Sequence, residues 1–200
     1  CCPRAVVLVV TNPVEILTRF LHERWPQMKV WGLGCTLDTV RLRYFLAEAA
    51  RVSIDSVSAI VIGTHDDQMI PLVRHATIGG ALAEQVLPAA RIRQAVEDTR
   101  YAGARIVQEL KSRGSFYAAS HCIAEIADAM VRDSHAVFPL STHCDGAYGY
   151  RDTCLALPCA VGVGGVERIV EIELDDEEHR ALDLCAAAMR DAAETFRAFS

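Results

Sequence analysis

The sequence offers little that would hold a metal, cross a membrane or attract a polyanion. Its eight cysteines include no C-x-x-C pair, so the usual zinc and thiol-redox spacings are absent. Cys1, Cys2, Cys35, Cys122, Cys144, Cys154, Cys159 and Cys185 mostly fall in apolar segments, where a thiol behaves as a small hydrophobe. No apolar run approaches the ~20 residues that a spanning helix needs; the longest strand-like one is AVVLVV at 5–10. With no basic start and cleavage site in view, a cytoplasmic location and no membrane partner are expected. The net charge of -6 gives nucleic acid no general reason to bind. Internal repeats, low-complexity tracts and flexible linkers are also missing. So is a glycine-rich phosphate loop: after Gly32-x-Gly34 the third glycine would fall on Leu37, and after Gly162-x-Gly164 on Glu167.

What is present suits a globular protein. The chain has 200 residues, 52% hydrophobic and 23% charged, enough to bury one good core or one domain plus part of another. It opens at Cys1 without a methionine and enters an apolar strand within a few residues, which is unusual for a domain start. A preceding segment is therefore expected.

Residues 5–10 are continuous and β-branched, the pattern of a parallel strand covered on both faces, and stop at Thr11-Asn12-Pro13. Helical spacing follows over 14–24, then a strand at 30–31 leading into Gly32. Thr36 is the expected N-cap of a helix over 37–51, apolar around much of its girth and so suited to burial or an interface. Residues 56–62 (SVSAIVI) read as the next strand. A long amphipathic helix is expected over 87–113, bent near Gly103 and stopped by Gly114, and another over 120–132 with Ile123, Ile126, Ala127, Met130 and Val131 inward. Short strands at 136–140, 153–157, 160–163 and 168–174 are separated by turn signals at Asp145-Gly146, Gly149, Pro158 and Gly164-Gly165. The acidic run Asp175-Asp176-Glu177-Glu178 suits the positive end of a last helix reaching about residue 199, and needs no metal to explain it.

Ligands in an open α/β sheet sit beyond the carboxyl ends of parallel strands, so Asn12 and His65, each just after a strand, can face one crevice. Asp38 and Arg41 share a face near the start of the helix between them. A histidine oriented by a carboxylate is a tuned acid–base group, and a neighbouring arginine can grip a substrate carboxylate with two parallel hydrogen bonds.

Thr11-Asn12-Pro13, then Leu37-Asp38-Thr39-Val40-Arg41-Leu42-Arg43, then Gly63-Thr64-His65-Asp66-Asp67-Gln68-Met69-Ile70-Pro71 resemble, in order, the motifs of the malate/lactate dehydrogenase family. Ala76-Thr77-Ile78-Gly79-Gly80, Gly146-Ala147-Tyr148-Gly149 and residues 158–178 also fit its later course. The resemblance implies an α/β fold: an α+β substrate domain over 36–200, preceded over 1–35 by the last parallel strand and helix of a truncated Rossmann domain. It implies an oxidoreductase passing a hydride between NAD and a small 2-hydroxy acid, NADP being the alternative cofactor, in a homodimer or homotetramer with the 37–51 helix in the interface. His65 would donate the proton to the 2-oxo acid and take it back in reverse. Asp38 would hold the imidazole, Arg41 the substrate carboxylate, and Asn12 would bond near the reacting oxygen. Asn12 and Val10 would meet the nicotinamide end of the cofactor.

Residues 102–107 with Gly114-Ser115-Phe116-Tyr117-Ala118 resemble malate enzymes more than lactate ones. The resemblance further implies that these residues without a nucleotide-binding domain turn over slowly or not at all. A lactate-type dehydrogenase and a non-catalytic, oligomerising relative are the alternatives. Two positions depart from the family pattern: Thr64 stands where it has glutamate or glycine, and Asp66 where it has glycine. A side chain at Asp66 is expected to strain the loop if the backbone there has positive φ, or to favour protonation of His65.

Overall fold

A computed structural model describes residue 2, residues 5–110 and residues 116–197. Strand β1 (Val6–Val9), helix α1 (Val14–Arg24) and strand β2 (Lys29–Gly32) form a β-α-β unit, with Val6 to Val9 running parallel to Lys29 to Gly32. Strand β1, expected to be covered on both faces, is partly exposed here: it belongs to a five-stranded sheet of order β1-β2-β8-β9-β10, in which β8 is Ala136–Asp145, β9 Arg151–Gly162 and β10 Gly165–Ile169, only Val9 of its residues is buried, and among the described residues β2 is its only strand neighbour.

Helix α2 (Thr36–Ala50) starts where the backbone turns sharply at Gly34, φ +54°. A Cβ there would lie 2.6 Å from both the Pro139 carbonyl oxygen and the Ser141 nitrogen, a clash that only glycine avoids. The residue before the helix is Cys35, whose N–H is held by the Pro139 carbonyl at 3.0 Å. Thr36, the expected cap, is instead the first helical residue, and its hydroxyl is buried without a hydrogen-bond partner among the described residues. The helix buries Leu42, Leu46 and Ala47 and ends at Arg51 in the left-handed region.

The segment 56–62 is not one strand. It divides into β3 (Val57–Ser58) and β4 (Val61–Ile62); β4 pairs with β5 (Ile70–Pro71), and β3 with β6 (Thr77–Ile78), which also pairs with β7 (Ala81–Leu82). The continuous apolar run arises because adjacent residues serve two cores: Val61 packs with Leu42 and Leu46, Ile62 with Leu155, Leu157 and Leu182. The Val61 N–H donates to the Thr39 hydroxyl (2.9 Å), and this side-chain bond stands where a longer ladder would continue.

Helix α3 (Ala83–Val86) leads to α4 (Ala89–Leu110), which runs continuously through Gly103; the expected stop at Gly114 lies outside the described residues. Helix α5 (Phe116–Arg132) begins before Ser120 and turns Cys122, Ile126 and Ala129 inward. Ala127 and Val131 are exposed, so those two were assigned to the wrong face. The expected series of short strands is a long hairpin of β8 (Ala136–Asp145) and β9 (Arg151–Gly162), then β10 (Gly165–Ile169). Pro158, expected at a turn, sits inside β9 opposite Pro139. Both lack an N–H to give, and their carbonyls accept from the neighbouring segments at Cys35 and Val170. The turns at Gly146 and Gly149 and between β9 and β10 are where the sequence puts them.

Helix α6 (Asp176–Arg197) is capped by Asp175, whose carboxylate accepts from the Glu177 and Glu178 N–H groups at 2.9 Å while Glu178 accepts from the Asp175 N–H. That reciprocal box accounts for the acidic run. The described cysteines are free thiols, buried except for Cys2. No described helix is long and apolar enough to cross a membrane. Along α6, Leu182 is fully buried and Leu184 is 68% exposed. Leu182→Ala is expected to lower unfolding free energy by about 2–5 kcal/mol and Leu184→Ala by at most about 0.5 kcal/mol, read from urea midpoints.

Candidate active site

His65 lies in the loop between β4 and β5. The loop is fixed at its start by two bonds between Gly63 and Ala156 of β9, at 2.9 and 2.7 Å. The ring Nδ1 meets the Asp38 carboxylate at 2.5 Å, and the other Asp38 oxygen accepts from the Arg41 guanidinium at 3.1 Å. Asp38 stands in the first turn of α2, three residues before Arg41, so the pair shares one helix face. The Asp38 side chain is 2% exposed, Arg41 13% and His65 24%. An ionised carboxylate only accepts hydrogen bonds, so Nδ1 carries the proton in that contact and Nε2 is the nitrogen left for other chemistry. The Asp38 hydrogen bond raises the His65 pKa above its ordinary value, with further help from the charges of Asp38 and Glu15; burial and Arg41 oppose the rise.

A cavity of about 620 Å³ opens over this pair, lined by Val10, Asn12, Arg41, His65 and, from the far wall, Gly103 and Phe116. The structure thus gathers every residue singled out from the sequence: Val10, Asn12, Arg41 and His65 line the cleft, and Asp38 lies behind His65. Arg41 has donors to spare. Its Nε is buried with no hydrogen-bond partner among the described residues, and a Cβ at Gly103 would come within 3.4 Å of its guanidinium. The absent side chain leaves that space open. One cationic fork, one acid–base imidazole and an amide around an apolar-walled cleft can bind a small carboxylate and exchange a proton with it.

The strain that a positive φ would bring at Asp66 does not arise. Its backbone is not in the positive-φ region. Its carboxylate accepts from the Thr64 hydroxyl and the Gln68 N–H, both at 2.8 Å, so Thr64 and Asp66 together build the turn. Besides Asp38, Glu15 acts on His65. Sequence reasoning missed Glu15, which is 5% exposed in α1 and accepts from the Ser141 hydroxyl at 2.7 Å and the His65 N–H at 3.4 Å. Burial raises its pKa. The available signal was an acidic residue directly after Asn12-Pro13-Val14, amid apolar neighbours.

Away from the cleft, Asp133, His135 and Glu167 place ligand-type atoms within 4.8 Å of one another on the surface. They are engaged locally: His135 Nδ1 contacts Glu167 at 2.8 Å and Asp133 accepts the Val163 N–H.

The raised pKa of His65 has a sign that can be measured. A group whose proton is bound more tightly in the folded state stabilises the fold below its unfolded pKa of about 6.5, and the benefit is lost as pH rises through the folded value. Asp38→Asn is expected to move the His65 ring titration, followed by NMR, to lower pH. The stability gap between wild type and Asp38→Asn is expected to be widest below about pH 6 and to narrow above neutrality; a gap that widens with rising pH would contradict the assignment.

Residues 35–200 match the family described as lactate/malate dehydrogenase, alpha/beta C-terminal domain. A malate dehydrogenase of Desulforudis audaxviator is 38% identical over 190 residues, covering 94% of this chain and 62% of the relative. The structure of the malate dehydrogenase from Aeropyrum pernix superposes with a TM-score of 0.91 at 33% identity, covering 96% of this chain and 63% of that one. A lactate dehydrogenase from Eimeria maxima, solved with NADH and oxamate, gives a TM-score of 0.92 at 28% identity, covering 98% and 62%. The chain spans somewhat under two thirds of the length of these relatives. With its fold and most of its length matched in this way, the chain belongs to the lactate/malate dehydrogenase family.

Proposed function

We propose that the chain is the substrate-binding and proton-transfer part of an NAD-dependent dehydrogenase that interconverts malate and oxaloacetate. The observation that carries this reading is the contact of His65 with Asp38, and of Asp38 with Arg41, at the edge of a cleft sized for a small acid. Residues 36–200 form the catalytic domain, in keeping with a family match that begins at residue 35. Residues 1–35 are the end of a dinucleotide-binding domain, a role supported by the parallel β1-α1-β2 unit.

The lining fits the nicotinamide end of the cofactor. Val10, half-exposed at the carboxyl end of β1, and Leu33, Leu37 and Val107 give a flat ring apolar walls, and Asn12 gives an amide a hydrogen-bonding partner. NAD, when bound, supplies the two-electron hydride chemistry at the substrate's second carbon; NADP has the same chemistry and differs at groups this cleft does not touch. Arg41 holds the carboxylate next to the reacting carbon with its unspent donors. Asn12 orients the carbonyl oxygen. Protonated His65 gives the proton on Nε2 to that oxygen, completing the hydroxyl group, and ends as a neutral imidazole whose Nδ1–H still bonds Asp38. In the reverse direction the neutral ring takes the hydroxyl proton, and Asp38 offsets the charge that develops.

The working unit in this reading is a homodimer or homotetramer. A cytoplasmic setting accords with the buried thiols, which remain reduced there. The test is NADH oxidation in the protein carrying its nucleotide-binding domain, with oxaloacetate and pyruvate compared. His65→Asn is expected to cut kcat with oxaloacetate by about 10²–10⁴-fold. Arg41→Lys is expected to raise KM by at least about tenfold, because a point charge cannot replace a two-pronged contact. A faster reaction with pyruvate would move the assignment to a lactate-type enzyme. Equal rates for wild type and His65→Asn would leave a non-catalytic relative as the reading.

A further inference from the structure

The group formed by Asp133, His135 and Glu167 has no part in the cleft. It lies at the Ala136–Val161 end of the β8–β9 ladder, whereas the His65 loop is bonded further along, at Ala156. Asp133 and His135 stand in the link from α5 to β8, and Glu167 on β10. Each offers one ligand-type atom, and these atoms lie within 4.8 Å of one another. We propose that the three side chains bind a divalent transition-metal ion of the Zn²⁺ class, which ties the end of α5 to β10. The site is separate from the dehydrogenase reading and does not rest on it.

The donors select the metal. One imidazole with two carboxylates suits Zn²⁺ and its first-row neighbours, whereas Ca²⁺ and Mg²⁺ ask for oxygen alone. Ligands about 2.1 Å from a tetrahedral ion stand about 3.4 Å apart, so atoms already within 4.8 Å close on it by small side-chain rotations. Each carboxylate keeps an oxygen for the ion. Asp133 accepts the Val163 N–H at 2.8 Å with Oδ1, and its Oδ2 lies 4.0 Å from the His135 Nε2. Glu167 meets the ring Nδ1 with Oε2 at 2.8 Å, which leaves Oε1. Space between the carboxylates comes from Gly162, where a Cβ would stand 2.2 Å from the Glu167 Oε1 and 2.8 Å from the Asp133 Oδ1. The two acids thus converge on a position that only glycine leaves empty. Their charges repel, and among the described residues neither is paired with a lysine or an arginine. The ammonium group of Lys29, which reaches the same turn, donates instead to the Gly164 carbonyl at 3.0 Å. A protonated His135 offsets only one of the two charges; a divalent ion offsets both. All three side chains are exposed, so water completes the coordination.

The experiment is a titration of the protein with Zn²⁺ at constant pH, followed by NMR of the histidine rings. His121 supplies the internal comparison: its Nε2 lies 3.7 Å from Glu125, one turn along α5, a pair of donors without a third. The His135 signals are expected to respond at a Zn²⁺ concentration at least about tenfold lower than those of His121. Losing even an outer-shell partner costs a metal site roughly 10–100-fold in affinity, so Glu167→Gln is expected to weaken binding at His135 by at least about tenfold and to leave His121 unchanged. Gly162→Ala removes no donor but puts a methyl group between the carboxylates, and it is expected to weaken binding at His135 as well. With Zn²⁺ bound, amide exchange in the turn between β9 and β10 is expected to slow. Rings of His135 and His121 that respond together would mean adventitious surface chelation only and overturn the proposal. An affinity at His135 that Glu167→Gln leaves intact overturns it equally, and unchanged amide exchange removes the tie between α5 and β10. None of these signals depends on turnover, so the metal site and the dehydrogenase reading fail or survive independently.

Discussion

The rest of the site depends on placing the Asp38 carboxylate almost wholly out of water. Moving such a charge into a protein interior carries a penalty of several kcal/mol, even after relaxation. It is tolerable only if both oxygens find charged donors in good geometry. Arg41 meets one from the same helix face, at a spacing the helix guarantees. His65 meets the other from a loop 27 residues away, so the loop must be held as firmly as the helix. The surrounding structure accomplishes this with Gly34 against Pro139 and Ser141, Cys35 bonded to Pro139, and Gly63 paired with Ala156. The β8–β9 hairpin anchors the carboxylate's helix and the histidine's loop alike.

This arrangement limits what the cleft can do: Nδ1 is held by Asp38, and Nε2 is the ring nitrogen left to face a ligand. The ring's affinity for its proton rises with the Asp38 contact against the opposing pull of burial, so the same interaction that orients the imidazole also favours its protonated form. Arg41 works against protonation of His65 but uses one nitrogen to hold Asp38. The rest of its guanidinium is free for an anion, and a bound carboxylate would offset its effect on the ring.

The chemistry-bearing residues were legible because each sits where local rules put it: Asn12 after a strand, Asp38 and Arg41 three apart on a helix, His65 after an apolar run. The order of their motifs led to the family, which the comparisons show. What sequence could not resolve was which partner each apolar run would find. Residues 56–62 read as one strand because serving two cores looks the same as being buried in one. Pro158 read as a turn because its missing N–H matters only if a partner needs it, and its opposite number is another proline. Glu15 escaped notice because a buried carboxylate is recognisable only once its acceptors' donors, Ser141 and the His65 N–H, have been brought together from distant parts of the chain.

Those donors meet at a seam. Strand β2 joins β8 through a single residue pair, Gly32 with Ser141, and among the described residues that is the whole ladder between the β-α-β unit and the hairpin. Asn12 and Glu15 come from one side of the seam; Asp38, Arg41 and His65 come from the other. A site divided in this way is only as accurate as the junction is stiff, since misplacing a proton donor by about 1 Å can cost on the order of 10²-fold in rate. One ladder pair is a weak hinge, but Ser141 also donates from its side chain to Glu15, and Glu15 reaches on to the backbone of His65. The bonds from Ser141 through Glu15 to the His65 backbone therefore close the seam where the ladder is short.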